Sequence, residues 1–247
     1  YILDMNKKQF YRPNWDAPLE VFPKEVPSDM PDIVFQISSG LYGTRDKNGK
    51  FDAYRYQKVM SFCQMTEIKI AQGAKQTGGK LSGQKVTPAI AYYRNVEAYK
   101  DVFSPNRFPY ANSIEELFDF IGTLQELSGK PVGMKIVISD MQNIEPYAKE
   151  IKRRVDLGID AYPDYITLDS GSGGSATAPL EMMERVGLNV RDSVYLVNKV
   201  LTDYGVRDKV RIVASGKILT PDDIIIVMSL GADFLQIARG FMMSAGC

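Results

Sequence analysis

The stretch from Val210 to Gly240 has the pattern of one strand–helix–strand unit of an α/β fold. Two apolar runs end at glycine-containing turns, and between them a threonine, a proline and two aspartates predict a helix start. In barrels of alternating strands and helices, a ligand phosphate commonly lies on the loops after the last two strands. We therefore predict a phosphate site here, although the glycines could instead serve only the turns. The residues concerned are Ser215, Gly216, Lys217, Arg239 and Gly240.

The rest of the chain continues the alternation of strands and helices. Short apolar segments predict six buried strands: Ile33–Ser38, Glu67–Ala71, Val132–Val137, Tyr165–Asp169, Arg211–Ala214 and Phe234–Ala238. The segments between them predict helices at Ala53–Met65, Ser113–Leu127, Ile144–Leu157, Val190–Tyr204 and Pro221–Leu230, with a shorter one at Thr87–Arg94. This order implies a parallel sheet with helices outside it, either a barrel or an open doubly wound sheet.

We interpret the chain as an α/β fold of the (β/α)8 TIM-barrel type, incomplete in that six of the eight strands are identifiable. Residues 1–30 show no clean period and are predicted to be an extended or peripheral segment, whereas residues 31–247 form the barrel domain. Either two further strands lie hidden in the first segment, or the chain is part of a longer protein.

Composition excludes several kinds of function. The chain carries 30 basic and 30 acidic residues, which argues against a nucleic-acid surface built on positive charge. The longest apolar runs are too short to span a bilayer, so no membrane partner is expected. Histidine is absent, which rules out every histidine-based triad or metal site. Two cysteines, Cys63 and Cys247, fit a reducing cytoplasm better than a disulfide framework.

Two lysines, Lys69 and Lys135, lie inside apolar strands. By alternation both face away from the apolar residues beside them, which in a barrel means toward the interior. A buried lysine is unfavourable unless it is paired or faces a ligand. We expect cations held against an anionic ligand or an electron-rich cofactor ring; the alternative is two lysines that reach solvent from edge strands. Glycine-containing loops that begin at Gln72, Gly171 and Ser215 favour close approach of the backbone to a ligand.

Six segments, EIKIAQGAK, KVTPAIA, PVGMKIV, DSGSGGSATAP, ASGKI and ARGFMMSAGC, resemble the FMN-binding synthase domain of glutamate synthases. The shorter stand-alone bacterial and archaeal members are the most similar, and the resemblance covers nearly everything from Pro31 to Cys247. It implies an FMN-containing (β/α)8 barrel that reduces a 2-imino acid formed from 2-oxoglutarate, or a related 2-oxo acid, and ammonia. It also implies an iron–sulfur cluster, an electron donor such as ferredoxin or a reductase subunit, and ammonia that is free or supplied by a glutaminase.

The same resemblance implies roles for single residues. Lys135 matches a strand lysine beside the flavin, where a cation stabilises negative charge on the reduced ring. Gln36, Lys69 and Gln72 match positions that line the flavin or 2-oxo-acid pocket, so Lys135, Lys69 and Gln72 are the candidate catalytic residues. Cys247 matches the first cysteine of the cluster motif. The flavin contacts are implied at Gln36, at Lys135, at the phosphate turns named above, and at Gly173, Gly174 and Ser175.

The residues themselves leave two other interpretations open. One is a flavin-free barrel lyase or isomerase that acts on a phosphorylated substrate, with Lys69 or Lys135 as the base or the Schiff-base amine. The other is a non-catalytic fragment that has lost cofactor binding. We also expect no iron–sulfur cluster on this chain alone, because a cluster needs several converging thiolates and Cys63 lies far from Cys247 in sequence. The cluster would belong to an intact, longer parent enzyme.

Overall fold

The computed structural model describes residues 31–73, 79–173, 179, 181–183 and 185–246; the predicted peripheral segment at residues 1–30 lies outside them. The described strands are β1 (Val34–Ile37), β2 (Met65–Lys69), β3 (Gly79–Leu81), β4 (Val102–Ser104), β5 (Val132–Ile136), β6 (Tyr165–Asp169), β7 (Arg211–Ser215) and β8 (Phe234–Gln236). Six of them form one sheet in the order β1-β2-β5-β6-β7-β8, and every neighbouring pair is parallel. The six predicted strands are therefore confirmed.

The described helices are α1 (Ala53–Met60), α2 (Pro88–Arg94), α3 (Ile114–Ser128), α4 (Met141–Leu157), α5 (Val190–Asp203), α6 (Pro221–Ser229) and α7 (Arg239–Ser244). The first six begin after an N-cap residue whose side chain accepts a hydrogen bond from a backbone N–H three residues on. These caps are Asp52, Thr87, Ser113, Asp140, Asn189 and Thr220. Within the described residues, no helix is both long and apolar enough to cross a membrane.

Five of the described helices pack on one face of the sheet, which identifies the barrel type of fold. Alternate strand residues such as Phe35, Ile68, Met134 and Ile166 are completely or almost completely buried on that face. They share one apolar core with buried residues of α1, α3, α4, α5 and α6. Strands in sequential order with right-handed crossovers place their helices on the same side. A doubly wound sheet has helices on both faces, so the curled, incomplete barrel is the alternative that the structure supports.

Several predicted boundaries were wrong. Helix α1 ends at Met60, because Phe62 and Cys63 lie in the connection after the helix and are buried there. Strand β2 already begins at Met65. Strand β8 ends at Gln236, and the predicted turn at Arg239-Gly240 forms the first residues of α7. The antiparallel pair β3–β4 was also missed, in a connection where only α2 was predicted.

Candidate functional site

Polar side chains line the inner face of the sheet. Because neighbouring parallel strands are in register, the side chains on one face form rows across the strands. Gln36 on β1 and Glu67 on β2 are Cα partners in one row. In the next row Lys69 is the partner of Lys135, which in turn is the partner of Thr167. The structure thus brings the predicted residues Gln36, Lys69 and Lys135 together on one face.

Glu67 is the centre of a buried hydrogen-bond network on this face. The residue is completely buried, and its carboxylate accepts hydrogen bonds from Gln36 Nε2 (2.5 Å), Thr167 Oγ1 (2.5 Å) and Gln236 Nε2 (3.1 Å). The Lys135 ammonium lies 4.0 Å from its Oε1 atom. A buried carboxylate is strongly unfavourable without such partners. Because the three donors come from β1, β6 and β8, one carboxylate connects strands at both edges of the sheet.

The two strand lysines have different partners. The Lys135 side chain is 12% exposed and faces the Glu67 carboxylate, whereas Lys69 Nζ donates a 2.6 Å hydrogen bond to Gln72 Oε1. Burial is the main cause that lowers the pKa of Lys69 to about 8, and the positive charge of Lys135 lowers it further. The negative charges of Asp169 and Glu67 partly oppose this effect. Lys69 is therefore partly neutral at physiological pH.

Asp169 connects the carboxyl ends of three strands. The residue is 3% exposed. Its Oδ2 atom accepts a 3.0 Å hydrogen bond from the backbone N–H of Gly73, and its Oδ1 atom accepts one of 3.4 Å from Ser215 Oγ. Gly73 directly follows Gln72, so Asp169 fixes the loop that supplies the hydrogen-bond partner of Lys69.

The glycines of these loops pack against neighbouring residues of the same chain. A Cβ atom on Gly73 would overlap the carbonyl oxygen of Ser170, and one on Gly216 would overlap the Ser170 hydroxyl. A Cβ on Gly173 would overlap the carboxylate of Asp169. Gly216 also has a φ of 111°, which side chains rarely tolerate. Loop packing accounts for these glycines, and their contact with a ligand stays a prediction.

The two turns predicted to bind phosphate adjoin each other. The Cβ position of Gly240 lies 3.6 Å from the carbonyl oxygen of Leu219 and 3.7 Å from that of Ile218, the residues just after the first turn. The cationic residues of the two turns, Lys217 and Arg239, are both exposed. The turn after β7 and the start of α7 therefore carry exposed cationic residues close to each other in the fold.

The N-terminus of α6, next to the first turn, is closed by its own side chains. Thr220 Oγ1 accepts a hydrogen bond from the backbone N–H of Asp223 (3.2 Å), and Asp223 Oδ2 accepts from the backbone N–H groups of Leu219 (3.2 Å) and Thr220 (3.1 Å). These backbone hydrogen bonds, with Leu219 the largest contributor, lower the pKa of Asp223 to about 2. A carboxylate thus occupies this helix start, so a bound phosphate would have to lie on the turns.

Comparison with known proteins places the chain in a family. The family described as "Conserved region in glutamate synthase" matches residues 20–247. The chain belongs to the glutamate synthase family. It is 39% identical over 218 residues to the glutamate synthase large subunit-like protein YerD of Bacillus subtilis, a match that covers 87% of this chain and 41% of that protein. It is 32% identical over 228 residues to the archaeal-type glutamate synthase (NADPH) of Thermotoga maritima, with 91% of this chain and 41% of the relative covered.

The fold of the chain also resembles that of a solved structure. A flavocytochrome b2 variant with benzoylformate has a TM-score of 0.51 to this chain, with 12% sequence identity, and the match covers 90% of this chain and 46% of that chain. At that identity the likeness concerns the fold alone. The chain spans about two fifths of the length of the glutamate synthase relatives named above.

Some residues implied by the glutamate synthase resemblance are not located by the structure. Gly174, Ser175 and Cys247 lie outside the described residues, although Gly173 is buried beside Asp169. The flavin contacts and the cluster ligand implied at these three positions therefore stay predictions.

Sequence reasoning also missed part of the inner face. The central position of Glu67 and the hydrogen bonds of Thr167, Asp169 and Gln236 were not predicted. One signal was present, because Glu67 lies two residues before Lys69 and so shares its face in an otherwise apolar strand. A carboxylate and an ammonium on one buried face indicate a charge-compensated network.

Proposed function

We propose that this chain is the FMN-binding barrel region of a glutamate synthase-like oxidoreductase. The reaction would reduce a 2-imino acid formed from 2-oxoglutarate, or a related 2-oxo acid, and ammonia. The observation that carries this proposal is the pair of neighbouring cations, Lys69 and Lys135, held on rigid strands over a buried polar network. Membership of the glutamate synthase family supports it.

The residues of the inner face fit a flavin. In the described part of the chain, the Lys135 ammonium has one carboxylate at 4.0 Å and no hydrogen bond, so its donors remain available to an electron-rich ring. The start of α7 adjoins the turn after β7, and its exposed Arg239 would pair with a phosphate bound there. Lys217 has a φ of 50°, which is uncommon outside glycine, and such conformations cluster at ligand sites.

FMN, when bound, would supply a hydride for the carbon of a C=N bond. The protein's own residues would bind and orient the acid. Lys69 and Lys135 would face the acid side by side, and the Gln72 amide, already hydrogen-bonded to Lys69, would lie at the edge of the same pocket. Glu67 would balance the positive charge of the two lysines. Gln36 donates its amide N–H to Glu67, which leaves its carbonyl oxygen as an acceptor for a ligand.

The remaining parts of the proposal concern the longer protein. An iron–sulfur cluster that includes Cys247, a donor such as ferredoxin or a reductase subunit, and free or glutaminase-derived ammonia would complete the reaction. A reducing compartment, the cytoplasm, fits the free and buried thiol of Cys63.

The test is flavin binding by the purified protein. We expect a visible flavin spectrum, and we expect the flavin released on denaturation to be FMN. Titration of flavin-free protein should give tighter binding of FMN than of riboflavin, because only FMN carries the phosphate. The Arg239→Gln variant should weaken FMN binding and leave riboflavin binding unchanged, since Arg239 lies at the phosphate turn and not on the inner face of the sheet.

The matched control is Lys152→Gln, which removes a cation from the exposed face of α4, where Lys152 pairs with Asp156. It should leave both affinities as they were. A protein that binds neither flavin, or that binds riboflavin as tightly as FMN, would contradict the proposal.

A further inference from the structure

Lys69 and Lys135 are neighbouring amines in unequal surroundings. They are Cα partners on adjacent parallel strands, so their side chains leave the same face of the sheet side by side. Lys135 has the Glu67 carboxylate at 4.0 Å. Lys69 has no carboxylate within that distance in the described part of the chain, and it donates instead to the neutral Gln72 amide. Of the two, Lys69 is the amine that is placed to lose a proton.

Burial and charge act on Lys69 in the same direction. Burial disfavours its ammonium form and the Lys135 cation repels it, while Asp169 and Glu67 oppose both effects only in part; the resulting pKa is about 8. At about pH 7.5, roughly a quarter of Lys69 would then be the neutral amine, against about one in a thousand for a lysine with the ordinary pKa of 10.5. A lysine beside a second cation in a desolvated site is the arrangement that makes an amine nucleophilic at neutral pH.

We propose that Lys69 captures the carbonyl carbon of a 2-oxo acid as an imine. The inference rests on the proposed function for its substrate class, and it assigns Lys69 a covalent role. The Lys69 nitrogen forms a bond to the carbonyl carbon, and one of its two N–H protons passes to the carbonyl oxygen. The hydroxyl group of this adduct then takes the remaining N–H proton and leaves as water, which leaves the C=N bond. The net change is condensation of one amine with one ketone and release of one water, with no oxidation or reduction.

This step would prepare the substrate that the proposed reduction needs. Addition of ammonia to the imine carbon and departure of the Lys69 amine gives a 2-imino acid and restores the free lysine. The geometry supports attack from a fixed direction. The Lys69 nitrogen is held by its 2.6 Å bond to Gln72, and the loop that carries Gln72 is held by the bond from Gly73 N–H to Asp169.

The experiment traps the imine by reduction. Purified protein is incubated with 2-oxoglutarate and sodium cyanoborohydride at about pH 7.5, where few ordinary lysines are neutral. Intact mass should rise by the mass of the acid less one oxygen atom, and peptide mapping should place the addition on Lys69. We expect modification of Lys69 to exceed that of the exposed Lys199 at least about tenfold. Binding of 2-oxoglutarate without the reductant is measured in parallel by calorimetry.

Two variants separate the covalent role from a structural one. Lys69→Arg keeps a cation and cannot form the imine, so it should lose the adduct while the folded protein keeps its thermal unfolding temperature. Lys135→Met removes the neighbouring charge, which raises the pKa of Lys69, so the adduct at about pH 7.5 should fall and should recover as the pH is raised. Recovery at higher pH would not follow from a damaged fold.

The outcomes are distinguishable. A Lys69 adduct that shows these two dependences supports the inference. Binding of 2-oxoglutarate without an adduct on Lys69, or with an adduct spread equally over exposed lysines, overturns it and leaves the proposed function standing. If 2-oxoglutarate neither binds nor forms an adduct, both the inference and the proposed function are overturned.

Discussion

The side-chain nitrogen Nε2 of Gln236 donates a 3.1 Å hydrogen bond to Oε2 of Glu67, from the last strand of the parallel sheet to the second. In a flat sheet these strands, four positions apart, would be separated by about 19 Å. A glutamine and a glutamate side chain cannot bridge that distance. The contact therefore requires the sheet to curl around its polar face, and it fixes how far the incomplete barrel closes.

Replacement of Glu67 by alanine should strongly destabilise the fold. The change would leave the donors of Gln36, Thr167 and Gln236 without their acceptor and the Lys135 ammonium without its carboxylate. We expect the free energy of unfolding to fall by about 3 kcal/mol or more, as is typical when one partner of a buried charged network is removed. Urea denaturation measures this loss. The control is Glu126→Ala on the exposed face of α3, and an equal loss in both variants would contradict the prediction.

Local sequence patterns were sufficient to predict the strands of the parallel sheet and the helices that pack on it. Helix α6 shows why, since Thr220, Pro221 and Asp223 give a start signal that depends only on neighbours in the chain. The inward direction of Lys69 and Lys135 was likewise predictable, because alternation along a strand fixes which face a side chain takes.

Contacts between distant segments were not predictable in this way. Glu67 meets Thr167 and Gln236, which lie 100 and 169 positions away, and that meeting depends on the register and curvature of the whole sheet. The end of α1 was misplaced for a related reason. The apolar residues Phe62 and Cys63 continue a helical pattern in sequence. In the fold they lie after the end of α1, where tertiary packing buries them.

A methyl group on Gly73 should disturb the site more than one on Gly240. The Cβ of Gly73→Ala would overlap the backbone oxygen of Ser170, so the loop must move, whereas the Cβ of Gly240→Ala would lie 3.2 Å from the flexible side chain of Ile237. We expect the first variant to lose about 1–3 kcal/mol of stability, as overpacked sites do, and the second to lose less. Thermal and urea unfolding compare the pair. Equal stability of the two variants would contradict the close packing of the Gly73 loop.

The pKa of Cys63 predicts a loss of stability at alkaline pH. Burial raises the pKa of this thiol from 9.0 to about 12. The folded state therefore keeps a proton that the unfolded state releases, so stability is lost as the pH rises above the unfolded value. Between about pH 8 and about pH 10, this group alone should remove about 1.4 kcal/mol.

The Cys63→Ala variant isolates that contribution. The pKa values of Tyr56 and Tyr165 are also raised by burial, but they affect both proteins alike. Urea unfolding at the two pH values should therefore show a smaller alkaline loss in Cys63→Ala than in the unaltered protein. The same loss in both would show that the thiol titrates normally in the folded state.

Replacement of Lys135 by alanine should weaken FMN binding. One charge-assisted contact is worth roughly 1.5–3 kcal/mol, which is about tenfold or more in affinity. Because Lys135 lies on the inner face and not at the phosphate turns, FMN and riboflavin should lose affinity by the same factor, in contrast to Arg239→Gln. Lys135→Arg, which keeps the charge, should retain more of the affinity than alanine, and Lys152→Ala on the exposed face of α4 should change nothing. Fluorescence titration with both flavins measures these differences. A loss confined to FMN would assign Lys135 to the phosphate and would contradict its predicted place beside the flavin ring.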